Sequence, residues 1–342
     1  MPALAERWLR RAVTIPSYVV AALAWLALLP VWAPAAWLVD RALPGRATLP
    51  LASFALLYLW CECAGMAASL AIWCLPPWGT GESRRRSQMR RNSALQVWWA
   101  TRLFRGAERL FAFHVEVEGD EALAGAPPLL LIRHGGTADT LVAAALVSGP
   151  HGHRFRYVLK RELLVDPCLD LNGNRLPNHF VRRGSGDGAA EIRAIVALLD
   201  DLDPDEGVLI YPEGTRFSEA KRERAIARYE ERGDRELAAR ARALRHTLLP
   251  RPGGAVALLA ANPGLDVVVA AHTGFEDAGS ALATWRGGLR GARVALGFWR
   301  IPFAALPCGD AHDDAARLAW LHAQWQRVDD WIAAQRARGA RA

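Results

Sequence analysis

The sequence predicts an α/β domain with a mainly parallel central sheet flanked by helices, preceded by two N-terminal hydrophobic membrane helices. Two patterns carry this prediction. Beyond residue 113, short apolar runs ending in turns alternate with stretches of helical spacing, as in a parallel sheet covered by helices. Before it, two long apolar runs concentrate the hydrophobic excess of a chain that is 52% hydrophobic but has a mean hydropathy of only +0.04. The 342 residues divide accordingly into a membrane anchor (1–80), a basic amphipathic linker helix (81–112) and a cytoplasmic domain (113–342).

From Ala12 to Val39 a run of 28 residues carries no charge. A hydrocarbon core needs roughly 20 apolar residues in a helix, so the run is long enough to cross with some tilt. Pro16, Pro30 and Pro34 interrupt it and are expected to kink it. It is too long for the hydrophobic region of a cleaved signal peptide, and no small-residue cleavage site follows. A second stretch, Ala47 to Leu75, is broken only by Glu62. It reads either as a second span completing a hairpin or as a re-entrant pair of half-helices with Glu62 near the polar boundary. Glu62 is expected to pair with a neighbour or stay protonated, outside any active site. Arg7, Arg10 and Arg11 precede the first stretch, Arg84, Arg85, Arg86, Arg90 and Arg91 follow the second, and only Arg41 and Arg46 lie between. The positive-inside rule then puts both ends in the cytoplasm, which in a bacterium means an inner-membrane protein.

The net charge of +7 is equally local. Residues 1–112 hold 13 basic against 5 acidic side chains, and the remainder holds 29 against 30. A nucleic-acid binder would carry its basic excess on the folded domain, so the partners indicated are membrane lipids and not nucleic acid. The five cysteines (Cys61, Cys63, Cys74, Cys168, Cys308) form no zinc-type pattern and fit a reducing compartment. Between Ala94 and Phe113, Trp98, Trp99, Leu103, Leu110 and Phe111 alternate with Arg102, Arg105 and Arg109. This is an amphipathic helix, lying on an anionic bilayer or packed on the domain that follows.

In that domain, His114–Glu118 alternates as a strand, and Leu129–Ile132 is an apolar run of the buried parallel type. A helix is expected from about Thr137 to Val147, then strands near Arg156–Leu159 and His179–Arg182, a helix over Ala189–Asp200, and strands at Gly207–Tyr211 and Asp266–Ala270. Glu219–His246 reads as a solvated helical excursion rich in ion pairs. Asp313–Arg338 reads as an amphipathic helix with Trp320, Trp325 and Trp331 near one face.

Directly after the Leu129–Ile132 strand stands His134-Gly135-Gly136-Thr137-Ala138-Asp139. Ligands of open α/β sheets bind beyond the carboxyl ends of strands, where this histidine falls. Along a continuous helix, positions five apart differ by about 140°, so His134 and Asp139 meet only if the paired glycines form a turn. An aspartate there can hold one ring nitrogen and free the other as a base. A second group, Tyr211-Pro212-Glu213-Gly214-Thr215-Arg216, also follows a buried strand. Arg216 offers a planar fork for phosphate, Gly214 lets backbone N–H groups approach an anion, and Glu213 can orient Arg216 or accept from a substrate hydroxyl. The His151-x-His153 pair sits in a loop without a clear third ligand, so no metal site is expected.

Together, His134-x4-Asp139 and the later Glu213-Gly-Thr-Arg216 resemble the glycerolipid acyltransferase superfamily that includes lysophosphatidate acyltransferases. Phe180-Val181-Arg182-Arg183 is similar to the second block of that family. Leu248–Gly254 is similar to the segment before its last block, and Val267–Ala271 stands where the last strand belongs. The resemblance covers roughly residues 113–300. The chain departs from the pattern at Arg133, where many relatives have Asn, at Gly135-Gly136, and at Ala270-Ala271-His272 in place of a Pro-Val turn.

The resemblance implies His134 as general base oriented by Asp139, with Arg183, Glu213, Gly214, Thr215 and Arg216 around the acceptor phosphate. It implies acyl transfer from acyl-CoA or acyl carrier protein to a lysophospholipid, 1-acyl-glycerol-3-phosphate first, giving phosphatidic acid. Glycerol 3-phosphate or another lysophospholipid is the alternative acceptor, and a catalytically idle lipid-binding membrane protein the alternative class. The family needs no cofactor beyond the thioester co-substrate. No serine sits in a Gly-x-Ser-x-Gly elbow, and a single displacement requires no acyl-enzyme.

Overall fold

The computed structural model describes residues 2–136, 139–181, 188–308 and 313–339. Four helices come first: α1 (Pro2–Ala27), α2 (Leu29–Ala42), α3 (Thr48–Cys74) and α4 (Gly81–Phe111). The α/β domain follows with β1 (His114–Glu118), β2 (Leu129–Ile132), α5 (Asp139–Val142), a π-helical turn (Ala143–Ser148), α6 (Gly149–His151), β3 (Arg154–Lys160), α7 (Pro167–Gly173), β4 (His179–Val181) and α8 (Gly188–Val196). It is completed by β5 (Glu206–Ile210), α9 (Glu219–Glu231), α10 (Arg235–Ala243), α11 (Gly254–Ala260), β6 (Val267–Thr273), α12 (Ala281–Trp285), β7 (Arg293–Ile301) and α13 (Asp314–Gly339).

The strands form one seven-stranded sheet in the order β1-β7-β6-β2-β5-β3-β4, parallel at every pairing except β6 with β7. The near-continuous apolar runs of β2, β5 and β6 are explained by this order: the three are neighbours at the centre, covered on both faces. One face packs on Phe104 and Phe111 of α4 with Phe113 and the π-helical turn. The other packs on α8, α11 and the Trp325, Val328 and Ile332 stripe of α13. Strand β7, whose Arg293-Val-Ala-Leu-Gly-Phe-Trp-Arg-Ile mixes charged and apolar residues, is an addition to the strands read from the sequence; it joins the sheet antiparallel to β6.

Helix α3 is long and apolar enough to cross a membrane, while α1 and α2 are so only when taken together, as a pair bent by 70°. The break has a local cause. Pro30 stands in the first turn of α2, lacks an N–H, and its ring would clash with the carbonyl four residues back if α1 simply continued.

These helices are tied to the domain by polar contacts. Glu62, fully buried in α3, accepts from Trp99 Nε1 of α4 and from the Cys168 backbone N–H, both at 2.8 Å. Arg10 and Arg11 of α1 pair with buried Asp170 at 2.7 and 3.0 Å, and the Tyr18 and Tyr58 hydroxyls donate to Asp166. Helix α4 turns Leu95, Leu103, Phe104, Ala107 and Phe111 into the protein, so the apolar side of this amphipathic helix is buried against α3 and the domain. His151 pairs with Asp120, and His153 lies against the Leu123 carbonyl.

Candidate active site

The central strands run in one direction, so the loops that follow them collect at one edge of the sheet. His134 leaves β2, Lys160 ends β3, Glu213 and its loop leave β5, and His272 lies near the end of β6. Because β6, β2, β5 and β3 are consecutive in the sheet, these four groups come together.

His134 Nδ1 lies 3.0 Å from Asp139 Oδ2, the contact expected of the motif. The turn between them is closed by the same oxygen, which accepts the N–H groups of Gly135 at 2.8 Å and Gly136 at 3.0 Å. Asp139 is therefore both the partner of the imidazole and the cap of the loop that carries it. Gly135 lets the Arg133 guanidinium approach closely: a Cβ there would lie 2.2 Å from it, and the arginine would have to shift. Tyr211 covers the ring with centroids 4.6 Å apart, and its hydroxyl donates to the Asp139 carbonyl at 3.3 Å.

The second motif meets the first through the backbone. The Glu213 carboxylate accepts the His134 N–H at 2.8 Å, and the Phe217 N–H donates to the His134 carbonyl at 2.7 Å. Both main-chain polar groups of His134 are thus held by the two ends of the 213–217 loop. Glu213 is 1% exposed, and its other oxygen accepts the Leu248 N–H at 3.0 Å. Facing inward, it accepts from two backbone N–H groups, whereas the sequence offers it either to orient Arg216 or to accept from a substrate hydroxyl. Gly214 takes the left-handed conformation at φ 66°, with the Arg251 side chain lying where a Cβ would point. Lys221 clamps the turn by donating to Thr215 Oγ1 at 3.1 Å and to the Arg216 carbonyl at 2.8 Å. Gly214, Thr215 and Arg216 are partly exposed and lie on the loop that brackets His134.

Lys160 was not among the residues picked out from the sequence. Its ammonium lies 3.3 Å from His134 Nε2, the nitrogen that Asp139 leaves open. Its signal was its place at the carboxyl end of a strand, which became informative only once β3 was known to neighbour β5. Lys160 pairs in register with Val181, so the chain leaves β4 beside it. Arg183, two residues on, lies outside the described residues.

Burial holds the His134 imidazole below its usual range; the Asp139 carboxylate works the other way, and Lys160 adds to the lowering. Burial disfavours a charged Asp139, but hydrogen bonds from His134 and His272 outweigh it and keep the carboxyl well below the ordinary value. Burial pushes Glu213 up to about 7. For the general-base role expected of His134 the active form is the deprotonated one, so activity is predicted to fall as pH drops through its pKa. With that pKa depressed, the acid limb of kcat/KM is expected below about 6.5, the unperturbed histidine value. An acid limb above 7 in a pH–rate profile would contradict the burial argument.

A cavity of about 610 Å³ lies elsewhere, between α4 and the segment leading into β3, lined by Trp98, Arg102 and Pro150 among others. It includes none of the dyad or loop residues, so the site rests on side-chain chemistry and not on cavity size.

A family model described as Acyltransferase matches residues 114–272, the stretch that contains every one of these groups. Among solved structures, the chain is similar to the crystal structure of the 1-acyl-sn-glycerophosphate (LPA) acyltransferase PlsC from Thermotoga maritima, at 12% identity. That similarity covers 79% of this chain and 97% of the other, with a TM-score of 0.45. No curated protein sequence matches. The family model thus falls on the domain that holds the ordered motif blocks, over less than half of the chain, and residues 114–272 are similar to the Acyltransferase family.

Proposed function

We propose that the protein transfers a fatty acyl group from acyl-CoA or acyl carrier protein to the free hydroxyl of a lysophospholipid, 1-acyl-glycerol-3-phosphate first, giving phosphatidic acid. The observation that carries this reading is the bracketing of His134 by the 213–217 loop, which sets a carboxylate-backed imidazole beside an arginine-bearing turn. In the proposed step, His134 Nε2 takes the acceptor's hydroxyl proton as the oxygen attacks the thioester carbonyl. The tetrahedral intermediate expels the thiolate, and the proton on Nε2 passes to sulfur, leaving an ester and a free thiol. Asp139 stabilises the imidazolium formed in between. Lys160, 3.3 Å from Nε2, supplies a positive charge for the developing oxyanion once the hydroxyl takes its place against that nitrogen. Arg216, with Arg183, holds the acceptor phosphate, for which a guanidinium fork is well shaped. The flanking arginine clusters support a cytoplasmic-facing domain on an anchored chain.

The test is release of free thiol by the full-length protein in detergent, with a panel of lysophospholipids and both thioester donors. Release is expected to depend on added lysophosphatidate. Arg216→Ala is expected to raise KM for that acceptor by about tenfold to a hundredfold, the value of one charge-assisted hydrogen bond, with KM for the thioester little changed. A raised thioester KM with an unchanged acceptor KM would reverse the assignment. Thiol release indifferent to every acceptor would favour a thioesterase or an idle lipid binder.

A further inference from the structure

Three departures from the family's motif pattern, Arg133, Gly135 and His272, are far apart in sequence but form one buried cluster. The Arg133 guanidinium donates to the His272 carbonyl at 2.8 Å and the His246 carbonyl at 2.7 Å, and pairs with Glu276. Gly135 leaves room for it, since a Cβ would also lie 3.1 Å from His272 Cε1. His272 itself is 1% exposed, and its Nε2 lies 2.9 Å from the Arg133 carbonyl and 3.4 Å from Asp139 Oδ2. A carbonyl oxygen only accepts, so Nε2 carries the proton, with the Asp139 carboxylate 3.4 Å from the same nitrogen. His272 Nδ1 has no hydrogen-bond partner among the described residues.

We propose that His272 is a positioning residue for acyl transfer: as the Nε2–H tautomer it donates to Asp139 and fixes the carboxylate that orients His134. The proposal rests on the reading of His134 as the base. The ionisable groups around this cluster are Asp139, His134 and Arg133 near the end of β2, Lys160 at the end of β3, Tyr211 and Glu213 after β5, Glu276 after β6, His246 after α10, and Arg336 of α13, which lies 3.5 Å from Glu276. The imidazole competes with His134 for one carboxylate oxygen that also caps the Gly135–Gly136 turn. Losing it would loosen the carboxylate and leave more of its charge to the His134 imidazolium.

The test compares His272→Gln, His272→Asn and His272→Leu in the full-length protein in detergent. Glutamine returns an N–H near the Nε2 position, asparagine near the Nδ1 position that has no partner, and leucine returns none. The glutamine variant is expected to keep kcat within about threefold, while asparagine and leucine lose about tenfold to a hundredfold, as for one hydrogen bond to a charged group, with little change in KM. The acid limb of the pH profile should move to higher pH in the asparagine variant and not in the glutamine variant. Equal kcat in these two, or an acid limb that does not separate them, would overturn the proposal. Should leucine prevent folding, the glutamine–asparagine pair still decides. If no thioester and acceptor react even with the unaltered protein, the acyl-transfer reading fails by itself. Proton NMR titration of His134 Cε1 then tests the His272 contact alone: the same separation supports it, and identical titrations overturn it.

Discussion

Replacing His134 with alanine is expected to lower kcat by about 10²–10⁴-fold, the usual contribution of a positioned general base, with membrane association unchanged. The loop should survive this change. His134 is held by its backbone, through Glu213 and Phe217, and the turn beside it is closed by Asp139 accepting from Gly135 and Gly136. Alanine keeps all of those bonds and removes only the ring. Steady-state kinetics on a variant with unaltered thermal unfolding would check this. Retention of more than about a tenth of the activity would count against a base role.

Asp139→Asn should produce a loss of about the same size, through charge and not through position. The amide oxygen can take the place of Oδ2, which accepts from His134 and the two glycine N–H groups. It brings no negative charge to balance the imidazolium, so the His134 pKa falls further and the weaker base reacts more slowly. The acid limb of the pH–rate profile should therefore move to lower pH, opposite to the shift expected when His272 is replaced by asparagine. Full activity in Asp139→Asn, or a limb moving upward, would break the assigned division of labour. The opposite signs make the two carboxylate contacts separable in one set of measurements.

Much of the scaffold was readable in advance because it depends on local physics. The buried runs at Leu129–Ile132, Gly207–Tyr211 and Asp266–Ala270 became the three central strands, since a strand covered on both faces must be apolar throughout. Strand β7 was harder to see: Arg293, Trp299 and Arg300 interrupt its apolar pattern, and it pairs antiparallel to β6 beside the central parallel strands. The broken first hydrophobic segment was partly visible in its prolines. The bend itself lies at the junction of α1 and α2, where Pro30 opens the second helix. The direction in which Glu213 faces was not legible, because a carboxylate next to Gly214 and Arg216 looks the same in sequence whether it faces solvent or a backbone amide.

By itself the sequence determined that a histidine and an aspartate five residues apart share a glycine turn at a strand end, and that an arginine-bearing loop follows another buried strand. It also placed the hydrophobic and cationic excess at the amino-terminal end of the chain. Only the tertiary structure decided that β6, β2, β5 and β3 are neighbours, which draws Lys160 to within 3.3 Å of His134 and His272 to within 3.4 Å of Asp139. The physical reason is that hydrophobic periodicity specifies which face of a strand is buried but not which strand lies beside it. Strand order is set by the packing of the whole sheet, and with it the set of side chains that share one edge.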